Sequence, residues 1–529
     1  MRTGACRLSQ LRRAFRTLNG GARAVMIAGV VGTSARRASV AQSPAPGVHD
    51  DAGRRGEVLT TAVTAEPAGQ DAERARAPGD RRWNAERVLE LAVQVLLAAC
   101  LVLRLVYPKA HDVANSLAAL ATLAALALER LAPSRGGARK ARLVLGAAAG
   151  TLLLVNLVSF LVALETGPAP PEFEYQRLQI DGVMILLAAG FGLRDARAAW
   201  RLVAVLLVAA GAWYVLEAAT VWPRERGLFL GRDALLARRL GVSGGSPFLD
   251  GRLAGLRGFH TVLAMELLVL FALFLGAAPA LRDRRRALAA LAGAALVGGL
   301  LLMTETRLAL VAGALVTVPA AIVAQRRYFS PRGRTVAAAV WLGVAVPALA
   351  AAWWWTASPE RRDPAAAGYR LGAWRSALEI EARSPWYLVA VGHGPYQYVF
   401  PAAARRVGAT VALEAGGRRM PHAHSVPLQT LVETGAVGLV SLAAVWAAGF
   451  LCAWGAWRRG GGEAAALAGV VWPALLTWAA LGTMDNSLNG VCGVLGWLLA
   501  GLGTAGPSWE PADSAEPAAA APSPGTVTP

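Results

Sequence analysis

Two histidines, His422 and His424, stand in the run Pro421-His422-Ala423-His424-Ser425, directly ahead of a long apolar stretch. Nine residues separate Ser425 from Gly435, and two separate Gly435 from Gly438. A neutral imidazole at a membrane surface is suited to taking up a proton, because it titrates near ambient pH. Upstream lie Arg252, Arg257, Arg307 and Arg370. Guanidinium groups hold phosphate oxygens through paired hydrogen bonds and stay charged near lipid. Each residue also has a plainer reading. A histidine before serine often just opens a helix, Arg370 would suit a solvated helix face, and Arg307 would suit an interfacial position with its stem along a helix head. Residue types alone leave these readings open. A metal centre made of His422, His424 and His393 would lack an acidic or cysteine ligand at fitting spacing, so none is expected.

The elements that must position these groups are membrane helices. The 529 residues are 55% hydrophobic and 16% charged, with mean hydropathy +0.43. A soluble protein carries about 25% charged residues. Collagen, a coiled coil, a disulfide-stapled module and a wholly disordered chain are excluded. The formal charge of +19 comes from 51 arginines and two lysines, Lys109 and Lys140. That skew follows from a GC-rich genome, so no nucleic-acid partner is inferred. Cys100, Cys452 and Cys492 lie in apolar runs and Cys6 in a polar tail, which argues against a structural disulfide.

Residues 1–84 are rich in Arg, Ala, Ser, Pro and Gly and read as a disordered cytoplasmic tail, or as the product of a start placed too early. Ala24 to Gly32, preceded by Arg12, Arg13 and Arg16, faintly resembles a signal peptide but is far short of the ~20 residues of a spanning helix. The Pro/Ala-rich stretch 506–529 reads as a second disordered tail. Between the tails, 85–505 reads as an all-α polytopic membrane domain. Twelve apolar segments are expected, at about 88–107, 113–131, 142–164, 178–193, 201–221, 259–281, 286–304, 307–325, 335–355, 430–456, 464–483 and 487–505.

Every even-numbered segment from the second to the tenth exits into a basic stretch: Arg135 to Arg142, Arg194 to Arg201, Arg282 to Arg286, Arg326 to Arg334, then Arg458 and Arg459. The positive-inside rule makes these loops cytoplasmic and puts both termini inside. The outer loop 165–175 agrees, with Glu165, Glu172, Glu174 and no base. Two outer stretches do not. Residues 222–257 hold seven arginines against three acids, and 356–424, between the ninth and tenth segments, hold nine against five. Long loops cross the membrane largely regardless of charge, so compositional bias and an outward-facing anion site both fit.

The 69-residue loop 356–424 follows Trp353, Trp354 and Trp355, an aromatic cluster suited to the interface. Tyr369 to Arg383 reads as an amphipathic helix at the bilayer surface, with Leu371, Trp374 and Leu378 on one face and Arg370 at the edge of that stripe. Ser384-Pro385 ends it. Val391 to Pro395 is turn-rich; its Gly392-His393-Gly394 is no dinucleotide loop, because no strand precedes it.

His424-Ser425, nine residues, Gly435, two residues, Gly438 resembles the signature of the O-antigen ligase and O-antigen polymerase superfamily, His-[Asn/Ser/Gln]-x9-Gly-x-x-[Gly/Thr/Tyr], which there follows a long periplasmic loop. Arg370-Leu371-Gly372-Ala373-Trp374, continuing through Ser384-Pro385-Trp386 to Gly392-His393-Gly394, is similar to the family's loop helix. Thr304-Glu305-Thr306-Arg307 resembles its Thr/Ser-x-Ser-Arg element, with Thr306 where Ser is usual. Arg252-x-x-Gly255 resembles a further element, with His260 where Asn is common. The resemblance covers roughly 88–505 and implies a bacterial inner-membrane glycosyltransferase. Such an enzyme moves a glycan from a polyprenyl-diphosphate carrier to an acceptor hydroxyl, on lipid A core or another glycan, at the periplasmic face. It implies His424 as base and Arg370 and Arg307 as diphosphate clamps, with Arg252 and Arg257 in the same cluster. Ser425, Gly435, Gly438, His422 and Trp374 are expected as supporting motif residues. The leaving lipid diphosphate needs only cations to stabilise its charge, so no cofactor or metal is called for, and one displacement inverts the anomeric centre. Partners would be the donor, the acceptor and membrane lipids.

A polymerase, or an enzyme that glycosylates proteins, would share these features and differ in acceptor. A transporter or flippase would instead call for ionisable residues at mid-membrane, interrupted helices and often an internal repeat. In the sequence few charges fall well inside the segments, Arg104, Glu217 and Glu266 among them, with no proline-broken pair and no repeat.

Overall fold

A computed structural model describes residues 78–106, 111–134, 136–166, 179–225, 248–249, 252–253, 260–326, 329–356, 364–395, 399–411, 422–485, 488 and 490–506. Of the expected tails 1–84 and 506–529, residues 1–77 and 507–529 lie outside the described residues, as does Arg257, whereas 78–84 already belong to the first helix rather than to a tail.

All twelve expected segments are helical. In chain order they are α1 Pro78–Val106, α2 His111–Leu131, α3 Gly136–Thr166, α4 Ile180–Gly192, α5 Ala196–Glu225, α6 His260–Ala280 and α7 Arg284–Met303. Next come α8 Arg307–Ala312 and α9 Val318–Ala324, which a π-helical turn, Gly313–Thr317, joins into one span. α10 is Pro331–Thr356. The loop contributes α11 Pro364–Arg383, α12 Trp386–Val391 and α13 Val399–Val407, and the chain finishes with α14 Val426–Arg459, α15 Gly462–Met484 and α16 Gly490–Ala505. Among the described residues ten helices are long and apolar enough to cross a membrane, while α4 and α16 are shorter apolar helices. The architecture is that of a multi-pass membrane protein.

Packing separates inner helices from outer ones. In α6 and α15, 78% and 72% of the apolar span is buried against other helices, compared with 11% in α10. Val340 and Val344 of α10 and Val440 of α14 stand exposed. An apolar outer surface of this kind is unstable in water and suits a helix that faces lipid. Arg104 and Glu266 are buried with polar partners. Arg104 donates to Asn115 Oδ1 at 2.5 Å and Asp181 Oδ2 at 2.7 Å, and Tyr214 Oη donates to Glu266 Oε1 at 2.8 Å. Pairing of this sort removes most of the cost of a charge in a low-dielectric bundle.

Three features depart from the sequence expectations. A two-residue antiparallel hairpin, β1 Phe248–Leu249 and β2 Arg252–Leu253, sits before α6, where no strand was foreseen. Helix α11 begins at Pro364 rather than Tyr369, and its packed face is not the expected one. Ala373, Ala377 and Ile380 are buried, whereas Leu371 and Leu378 are more than half exposed. Small residues let α11 approach its neighbours closely, and the larger Leu371–Leu378 stripe turns outward. Finally, α14 is interrupted at Gly435, which has φ 68°.

Candidate active site

Consecutive spans run in opposite directions, so the C-terminal ends of α7 and α15 and the N-terminal ends of α8 and α14 gather at one end of the bundle, the end that carries the 356–424 loop. Two short connections shape it. Between α7 and α8, Thr304 is fully buried; its Oγ1 donates to Leu301 O at 2.7 Å and accepts from Thr306 N at 3.3 Å. Glu305 takes φ 48°, and this tight turn makes Arg307 the first residue of α8. Helix α8 packs against α15. Between the loop and α14, His424 itself has φ 49° and Ser425 is the buried residue that opens the helix.

The loop is seated by a compact apolar cluster. Ala377 and Ile380 of α11, Val399, Phe400, Ala403 and Ala404 of α13, and Ala423 and Val432 pack together with Ala163 of α3. A backbone crossing completes the seating. The amides of His393 and Gly394 donate to Val432 O and Glu433 O at 2.8 and 2.9 Å. A side chain at Gly392 (φ 80°) would strike the Glu433 carbonyl, and one at Gly435 would strike the Ala390 carbonyl. Both glycines are needed for conformation and for close approach at once. Ser159 Oγ of α3 also donates to Glu433 O. The spacing from His424 to Gly435 is therefore the distance along α14 from the loop's end to the point where the loop crosses it.

At the crossing, His393 is fully buried between Ser384 Oγ, 2.8 Å from its Nε2, and Arg406 Nη1, 3.4 Å from its Nδ1. Arginine only donates, so Nδ1 accepts and Nε2 carries the hydrogen. Burial, with the Arg406 charge beside it, pushes the His393 pKa down to about 4. His393 is thus a neutral latch rather than a partner of His422 and His424.

The groups that can do chemistry meet at Asp485, the residue that ends α15. His424 Nδ1 lies 3.3 Å from Asp485 Oδ1, and Arg370 Nη2 lies 3.2 Å from Asp485 Oδ2. Asp485 is 11% exposed at its side chain, His424 18% and Arg370 31%, so a buried carboxylate holds two groups that remain open to the surroundings. An ionised carboxylate can only accept, which places an imidazole hydrogen on Nδ1. His422 stacks nearby, ring centroid 4.2 Å from that of His424 with a 47° tilt. Trp374 is half-buried on α11.

Of the sequence candidates, Arg370, His424 and His422 come together directly. Arg307 stands at the same end on a helix packed against α15, and Arg252 lies on β2 ahead of α6. Gly435 serves the kink and the crossing, and a Cβ at Gly438 would strike the Thr434 side chain. Asp485 was missed. Its signal was faint: a lone acid in the turn between the last two apolar runs, with nothing nearby in sequence to pair with.

No curated protein matches the chain. Residues 261–443 match the family described as O-antigen ligase, a stretch that runs from α6 into α14 and takes in Arg307, Arg370, His424, Gly435 and Gly438 but stops short of Asp485. Over that stretch this multi-pass membrane protein carries an O-antigen ligase domain, the domain of a glycosyltransferase-type family of lipid-linked glycan transfer.

Proposed function

We propose that the protein transfers a glycan from a polyprenyl-diphosphate carrier to an acceptor hydroxyl at the periplasmic face of a bacterial inner membrane, with both termini cytoplasmic, 85–505 as the membrane domain and 356–424 as its outer loop. The observation that carries the reading is Asp485 bridging His424 and Arg370. His424 Nε2 takes the proton of the acceptor hydroxyl as its oxygen attacks the anomeric carbon. The bond from that carbon to the diphosphate oxygen breaks, and the polyprenyl diphosphate leaves with the electron pair. Asp485 fixes the tautomer that makes Nε2 the base and stabilises the imidazolium that forms. Arg370 and Arg307 neutralise charge growing on the leaving diphosphate, aided by Arg252 and Arg257. A single displacement inverts the anomeric configuration. The cations required are all guanidiniums, so the mechanism is metal-independent.

Reconstitution with polyprenyl-diphosphate glycan tests this. Wild-type protein should transfer glycan in the presence of chelator, and His424→Ala and Arg370→Ala should lose transfer while remaining inserted. Full activity in both variants overturns the site, and abolition by chelator overturns the metal-independent step. Lipid A core, a carrier-linked repeat unit and a protein hydroxyl, offered in parallel, distinguish ligase, polymerase and protein-glycosylating readings of the acceptor. Movement of intact donor across the bilayer without a new glycosidic bond would favour a flippase instead.

A further inference from the structure

The conformation of His424 requires an external brace. A non-glycine residue at φ 49° persists only where its surroundings over-determine it. The Ser425 side chain makes no capping bond to the start of α14. One turn into the helix, however, Gln429 reaches back. Its Oε1 accepts from Ala423 N at 2.8 Å, and its Nε2 donates to Glu433 Oε1 at 2.5 Å. Gln429 is 2% exposed and Glu433 9%. This is a capping box displaced outward: the helix side chain ties down the residue before His424 rather than the first capping position.

We propose that Gln429 and Glu433 form a positioning relay that holds His424 against Asp485. The inference rests on the reading of His424 as base. A peptide N–H can only donate and an ionised carboxylate can only accept. The side chain between them must therefore present an oxygen to one and an N–H to the other, and an amide does both. Glu433 is the fixed end of the relay. Its main-chain oxygen accepts from Gly394 N at 2.9 Å and from Ser159 Oγ, so it is tied to the loop and to α3 together. Its side chain borders a small cleft lined by Asn156, Gln179, Thr430 and Thr434 together with three leucines and Trp497. The loop crossing near Gly435 is thereby coupled, through two side chains, to the placement of the imidazole. Neither residue touches substrate, so their effect is on turnover and not on binding.

The test uses full-length protein in proteoliposomes, with rates normalised to monodisperse, membrane-inserted enzyme. Gln429→Leu keeps the volume and loses both bonds; its kcat should fall tenfold or more, with KM for donor and acceptor within about twofold of wild type. Glu433→Gln preserves an acceptor for Gln429 Nε2 and should keep at least half the wild-type kcat, whereas Glu433→Leu should not. Gln429→Leu combined with Glu433→Leu should be no worse than Gln429→Leu alone, because the relay is already broken. Wild-type kcat in Gln429→Leu, equal losses in Glu433→Gln and Glu433→Leu, or additive losses in the double variant would each overturn the relay. Should His424→Ala retain activity, it is the assignment of the base that falls; should His424→Ala be dead and Gln429→Leu unimpaired, only the relay falls.

Discussion

Among the described residues Glu129 bridges two guanidiniums at one end of the bundle and Asp485 bridges a guanidinium and an imidazole at the other, and they are built for different ends. At the basic end Glu129 Oε2 meets Arg142 Nη1 at 2.5 Å and Arg194 Nη2 at 2.7 Å, while Glu129 Oε1 accepts from Ser134 Oγ at 2.6 Å. Arg142 is 2% exposed. Both cations are permanently charged and four donors, the Ser134 amide included, converge on one carboxylate, so no proton has reason to move. At the loop end Asp485 bridges one guanidinium and one imidazole, and both are only partly buried. The lesson is that a carboxylate between two cations is a staple when its partners are buried and fixed in charge. It becomes a candidate site when one partner can exchange a proton and the other has donors left for a substrate.

Asp485→Asn is the strongest way to break that contrast. An amide can present its N–H₂ to His424 Nδ1 and stabilise the wrong tautomer, so transfer should fall by about 10²–10⁴, the range that general-base catalysis supplies. Insertion and thermal stability should be close to wild type. Transfer at wild-type rate would reduce Asp485 to a second staple. Glu129→Ala should do the reverse: it leaves Arg142 buried without its counter-charge, at a cost of about 3–5 kcal/mol. Thermal unfolding in detergent should register that loss, while glycan transfer per folded molecule holds. A specific collapse of turnover in stable Glu129→Ala protein would mean that the two ends are coupled.

The smallest effects belong to pH and sharpen the picture of the loop. His393 has its pKa depressed by burial to about 4. It favours the folded loop fully above its ordinary value of 6.5, and that contribution is lost as pH falls through about 4. Glu381 on α11 is pushed the other way, up to about 7, by desolvation. The folded loop holds that proton more tightly than the unfolded chain, so stability declines as pH rises from 4.5 to about 7 and then levels off. Protection of the 384–394 amides from hydrogen exchange, relative to an unfolded chain at the same pH, should therefore be greatest between these limits. Glu381→Gln should abolish the alkaline decline and leave the acid limb, and an unchanged alkaline limb would rule Glu381 out as its source.

Much was readable along the chain because hydropathy and charge are local. Each apolar run became a helix because lipid offers no partner for an open backbone. Arg307, Arg370 and His424 were found through motif spacing. The Leu371–Leu378 stripe shows where such reading fails. Helix α11 has two apolar faces, and periodicity cannot tell which one packs against protein and which against the surface. The break at Gly435 was equally invisible, since it answers to the Ala390 carbonyl 45 residues earlier in the chain.

By itself, then, the sequence determined the helices, their succession and the residue types at the loop end, because these depend on neighbours a few positions away. Tertiary structure alone decided that Asp485 joins His424 and Arg370, which lie 61 and 115 residues from it. Helix-to-helix packing sets that meeting, and the energy that selects it comes from surfaces distant in the chain.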